Sequence, residues 1–125
     1  MIWISLAEKV DYQEEVERVK DPEAGAVVAF IGTVRSERHR VKALVYEHYE
    51  GMAEKALREI AEEACTGFSI LNVSIVHSYG IVEAGEIAVV VAVSSAHRKE
   101  AFEACSWIMD RIKERVPIWK EVINE

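Results

Sequence analysis

The sequence predicts an α+β fold, a mainly antiparallel sheet with helices packed on one side, in the order β-α-β-β-α-β-β-α. Three observations carry that prediction. Residues 26–31 (AVVAFI) and 87–93 (IAVVVAV) are continuous apolar runs rich in valine, the first with the character of a strand covered on both faces. Residues 50–65 repeat apolar side chains at helical spacing, as do Ala101, Phe102, Cys105, Ile108, Met109 and Ile112 within residues 94–120. Residues 42–49 (KALVYEHY) alternate well enough for a strand pairing antiparallel with the one before it.

Taken in order, residues 2–5 form a short strand and residues 11–19 a mostly polar surface helix anchored by Val16 and Val19. Residues 21–25 (DPEAG) are a turn. Strand 26–31 runs into Gly32-Thr33-Val34-Arg35, where a glycine inside a strand marks a bulge or a close approach. Residues 36–42 are a basic loop, either a solvated hairpin tip or a cover over an anionic ligand. In the helix 50–65, Met52, Ala53, Ala56, Leu57, Ile60, Ala61 and Ala64 share a stripe, and Gly67 suits the C′ position. Residues 69–77 alternate as a half-buried strand, with Leu71, Val73 and Ile75 on one side and Asn72 and Ser74 on the other. Tyr79-Gly80 and Ala84-Gly85-Glu86 are turn signals, and residues 87–94 are a central strand. Ser95 is a fair N-cap for the last helix. Pro117 stops that helix near Glu114 or Arg115.

With 125 residues, half of them apolar and 30% charged, the chain reads as one domain, 1–125, with a real core. Fifteen basic against 22 acidic residues give a net charge of −7, which argues against nucleic-acid binding by a basic surface. The longest apolar run is far short of a membrane span, and a cytoplasmic protein is expected. Cys65 and Cys105 fall on apolar helix faces without metal-ligand spacing, so no metal and no cofactor is expected.

No GxGxxG, Walker loop, HExxH or GxSxG occurs. What remains is a cationic set: Arg35, His97, Arg98, Lys113 and Lys120. Arginine forks grip phosphate or carboxylate, a helix start adds backbone donors, and a lysine can move protons. His97 and Lys113 lie roughly 24 Å apart along one helix, too far to hold one small ligand from a single chain. One site using all of them requires two chains across a two-fold axis. Lys120, directly after Trp119, is expected to pack against a ring rather than stand free. The set suits a phosphorylated small molecule, worked on by one or two lysines. The alternative is a non-catalytic dimeric module binding an anionic ligand or a partner subunit through the same patch.

Three blocks carry a resemblance: GAVVAFIGTVR (25–35) with LVYEHYEGMAEKAL (44–57), HSYGIVEAGEIAVVVAVSSAHRKEAF (77–102), and RIKERVPIWKE (111–121). In these the chain resembles the large, catalytic subunit of molybdopterin synthase. The resemblance implies an α+β hammerhead fold and a homodimer. Each end of that dimer would bind a small ubiquitin-like sulfur carrier, giving a heterotetramer. It further implies that the carrier's C-terminal Gly-Gly thiocarboxylate donates two sulfurs in succession to cyclic pyranopterin monophosphate (precursor Z), forming molybdopterin. By position, Lys113 resembles the essential lysine beside the carrier tail and Lys120 the second active-site lysine. Arg35, His97 and Arg98 match phosphate-holding residues, with Thr33 and Val34 alongside. Phe30 and Met109 would line the pocket, and Glu121 and Val122 join the substrate-binding set.

Two departures stand out. The family usually has His-Arg where this chain has His77-Ser78. Many relatives also continue past the counterpart of Lys120 into a tail that adds a basic residue from the partner protomer. Arg38 or Arg40 is a candidate substitute.

Overall fold

The computed structural model describes residues 1–36, 41–48 and 51–124. Arg38 and Arg40 lie outside the described residues, so the idea of a substitute from that loop is not addressed by the structure. The order is β1 (Ile2–Ala7), α1 (Tyr12–Val19), β2 (Ala26–Thr33), β3 (Val41–His48), α2 (Met52–Gly67), β4 (Asn72–Ser78), β5 (Gly80–Glu83), β6 (Ile87–Ser95), α3 (Arg98–Arg115) and β7 (Ile118–Asn124).

The strands form two sheets rather than one. The larger has the order β1-β4-β6-β2 and the smaller β5-β3-β7. Only the β1–β4 pair is parallel among the pairs described. Two strands therefore join the expected set. β5 occupies the stretch after Tyr79, where a left-handed Gly80 (φ 81°) turns the chain from β4 into the second sheet. β7 is the apolar Ile-Trp segment after Pro117, paired along the length of β3.

The main core lies between one face of the larger sheet and two helices. Leu57, Ile60 and Ala64 of α2 and Ala101, Cys105, Ile108 and Ile112 of α3 meet Val73 and Ile75 of β4 and Val89, Val91 and Val93 of β6. Fully burying each larger aliphatic side chain stabilises the fold by roughly 1.5–3 kcal/mol before entropy is counted. Met52 and Phe102, placed on the apolar stripes by spacing, are exposed. Met52 is the first residue of α2, and Phe102 stands at the edge of the α3 stripe.

Helix α1 lies on the opposite face, so the helices do not all share one side. The cause is polar. Ser74 donates to the Glu15 carboxylate (2.6 Å), and the Asn72 side chain donates to the Val19 carbonyl (3.1 Å). These bonds allow α1 to cover the hydrophilic face of β4, which is buried on both sides rather than half-buried. β2 departs in the other direction. It is an edge strand, and Val27, Phe30 and Ile31 stay substantially exposed.

Local end signals also differ. Asp11 caps α1, its carboxylate accepting from the Gln13 N–H at 3.0 Å. Ser95 does not cap α3. It ends β6, its hydroxyl donates to the His97 carbonyl, and His97 is the N-cap. Gly67 is the last residue of α2 rather than a left-handed C′; the left-handed glycine is Gly51, which precedes the helix (φ 80°). α3 ends at Arg115, as Pro117 requires.

Candidate active site

The seam between the two sheets opens into a cleft of about 560 Å³. Its walls are Phe30, Gly32 and Thr33 of β2, Val89 of β6, and Met109, Ile112 and Lys113 of α3. The smaller sheet contributes Tyr46, Ile118 and Lys120, and His77 of β4 completes the floor. Five of the expected residues are thus together: Phe30, Thr33, Met109, Lys113 and Lys120.

Each arrives by a simple route. Lys113 sits in the last turn of α3, one residue past buried Ile112, so the helix that fills the core also aims a cation at its rim. Lys120 is in register with Tyr46 on β3, which puts the two side chains on one face of the smaller sheet. Trp119 is in register with Glu47 and points to the other face, because successive strand residues alternate. Lys120 therefore lies beside Tyr46, not on the Trp119 ring. The register between β2 and β6 shifts between Gly32 and Thr33, the expected bulge. A Cβ on Gly32 would stand 2.7 Å from a Val89 methyl and 3.0 Å from the Phe30 ring, so glycine lets that ring fold over the floor.

The cleft is electropositive within an acidic chain. Among its described lining residues there are two lysines and no carboxylate. Lys113 and Lys120 are exposed, and neither forms an ion pair among the described residues. Such a site favours an anion without needing a basic surface elsewhere.

The other expected residues lie outside this cleft. Arg35 follows at the exposed end of β2, two residues past Thr33. Val34 turns inward onto Val82 and Ala88, its N–H donates to the Glu86 carbonyl, and its carbonyl accepts from Gly85. It anchors the backbone on which Thr33 and Arg35 are mounted. Glu121 and Val122 are exposed on β7, in register with Val45 and Leu44. His97 and Arg98 sit at the opposite end of α3, next to the start of β2, where the Gly25 N–H donates to the Ala96 carbonyl. One chain does not unite them with Lys113.

Two cleft residues went unassigned in the sequence reading. His77 is buried, its Nδ1 lies 2.7 Å from the Ser78 carbonyl, and Tyr46 packs edge-on against its ring at 5.0 Å. Burial holds the His77 imidazole below the usual histidine range, despite an opposing push from the Ser78 carbonyl, and it raises the Tyr46 phenol. Register across β4, β6 and β2 places His77, Val89 and Gly32 in one row, a juxtaposition that no local motif signals. Ser78 points to the other face, where its hydroxyl donates to the Ala88 carbonyl at 3.0 Å.

The cysteines do not enter the cleft. Cys105 donates weakly to the Val91 carbonyl at 3.5 Å, and burial pushes its thiol up to about 11. Burial also raises Cys65. Neither is a ready nucleophile.

The MoaE protein family matches residues 6–115. The chain belongs to the MoaE family. It is 46% identical to the molybdopterin synthase catalytic subunit of Thermoplasma volcanium, over 98% of this chain and 92% of that one. Among solved structures, molybdopterin synthase from Staphylococcus aureus superposes with a TM-score of 0.89 at 40% identity, covering 97% of this chain and 90% of that one. The Helicobacter pylori complex of subunits 1 and 2 of molybdopterin-converting factor shares the fold, with a TM-score of 0.79 at 23% identity, covering 98% and 85%.

Proposed function

We propose that this chain, a single domain over residues 1–125, is the catalytic subunit of a molybdopterin synthase. It moves sulfur from the C-terminal thiocarboxylate of a small ubiquitin-like carrier to cyclic pyranopterin monophosphate, in the cytoplasm. The observation that carries the reading is the meeting of Lys113 and Lys120, from a helix end and a separate strand, in one cleft whose described lining holds no carboxylate. Both reactants are anionic, and two ammonium groups aimed at one volume stabilise the negative charge that develops as sulfur attacks and the cyclic phosphate opens.

The position of His97 and Arg98 favours a homodimer. The exposed β2 edge and Phe102 border a second hollow of about 370 Å³, which runs along α3 from Phe102 to Lys113. A second copy docked there by a two-fold axis would bring its own His97 and Arg98 toward the Lys113 end. With one carrier at each end, the assembly is a heterotetramer.

Reconstitution tests the reading: this protein, a thiocarboxylated carrier and cyclic pyranopterin monophosphate, with molybdopterin read by mass. Lys113→Ala should lower the single-turnover rate by about 10²–10⁴ while leaving folding and dimerisation intact. Lys113→Arg keeps the charge but replaces a compact ammonium with a broad planar fork, so it should also lose turnover by misplacing that charge. Normal turnover by Lys113→Ala would overturn the assignment. A wild-type dimer that binds both partners yet yields no product would favour a binding module.

A further inference from the structure

The cleft contains two cations and no carboxylate among its described residues, yet a reaction that forms carbon–sulfur bonds and opens a cyclic phosphate must move protons. Lysines that stabilise negative charge have to remain protonated to do so. Another group must then accept.

We propose that His77 is the proton acceptor of this cleft and that Tyr46 is its donor-bearing partner, an assignment that rests on the sulfur-transfer reading above. The geometry fixes the tautomer. A carbonyl oxygen only accepts, so the 2.7 Å contact with Ser78 places the proton on Nδ1 and leaves the lone pair on Nε2. Tyr46 meets the ring edge-on, with ring planes at 73°, and holds its plane in the cleft floor. Tyr46 in turn stands in register with Lys120, so acceptor, hydroxyl and ammonium are adjacent members of one wall.

The step is a proton transfer. An O–H or N–H proton of the bound pterin passes to Nε2, and the electron pair stays on the substrate heteroatom. The resulting imidazolium is held through Nδ1–H by the Ser78 carbonyl. The proton returns to the leaving oxygen or to solvent in a later step, so the histidine ends as it began. The charged and titratable groups around the ring are Tyr46 and His48 of β3, Lys113 of α3 and Lys120 of β7. Burial is the main reason the ring stays neutral, and His48 adds to it. Neutral His77 with a protonated Tyr46 gives acceptor and donor at one pH.

The test is single-turnover product formation from about pH 5 to about pH 9 with the dimer, the thiocarboxylated carrier and cyclic pyranopterin monophosphate. The wild-type rate should fall on the acid side, with a midpoint below the ordinary histidine value of about 6.5. His77→Gln can still donate to the Ser78 carbonyl but cannot take a proton. It should be slower by about 10²–10⁴, without the acid limb, and with pterin KM and melting temperature unchanged. Tyr46→Phe should keep the acid limb while losing rate. A His77→Gln enzyme within a few fold of wild type, or one that retains the acid limb, would overturn the assignment. So would a loss explained by a raised KM or a lowered melting temperature. Wild type without product sinks the sulfur-transfer reading itself, whereas an active wild type with an unaffected His77→Gln sinks only this proposal.

Discussion

The two sheets follow different logics. In the larger one, β4 and β6 are buried on both faces, and α2 and α3 seal an extended aliphatic core. The smaller one packs more lightly: its Val82 meets Ala88 of β6 and Val34 in a small buried cluster, and Trp119, Val122 and Ile81 remain exposed. The larger sheet supplies stability, while the smaller supplies reach: it carries Tyr46 and Lys120 across the seam to face Lys113. The cleft sits at the boundary between a well-packed sheet and a lighter one, where two elements present cations without burying them.

Substitutions can break or sharpen that contrast. Ile108→Ala, in the fully buried α3 stripe, should cost about 2–5 kcal/mol in chemical denaturation, enough to threaten folding. Gly32→Ala should cost about 1–3 kcal/mol, because its Cβ collides with Val89 and Phe30. It should also impair turnover by pushing the Phe30 ring into the cleft. A variant that loses stability but keeps full turnover would show that the ring does not shape the site. Val82→Ala, in the small cluster, should cost about 1.5 kcal/mol and lower activity more than stability, by loosening the strands that carry Lys120. Equal stability losses at Ile108 and Val82 would erase the proposed division.

Local patterns made the larger sheet legible. Valine runs, the two apolar stripes and Pro117 fixed most of its strands and helices close to their observed positions. What failed depended on partners far away in sequence. The side taken by α1 rests on Ser74 meeting Glu15, 59 residues apart. β2 looked doubly covered because it has the composition of a core strand, although it stands at the edge of the sheet. β7 hid behind Pro117 because a seven-residue strand with three charged or polar members gives a weak alternation. Lys113 and Lys120 were legible as cations, and their convergence follows from β7 folding back along β3. His77 and Tyr46 carried no local signal at all, since they stand on different sheets and meet only through their rings across the seam.

The eighteen residues of α3 also keep Lys113 at one end apart from His97 and Arg98 at the other. In the proposed dimer, a subunit spoiled at Lys113 and a subunit spoiled at Arg98 damage different sites. Their hybrid would hold one doubly defective site and one intact site. Mixing inactive Lys113→Ala and Arg98→Ala proteins under exchange should therefore restore roughly a quarter of wild-type turnover, through hybrids that form half of the population. Genetic complementation between two dead alleles would be written into the length of a helix.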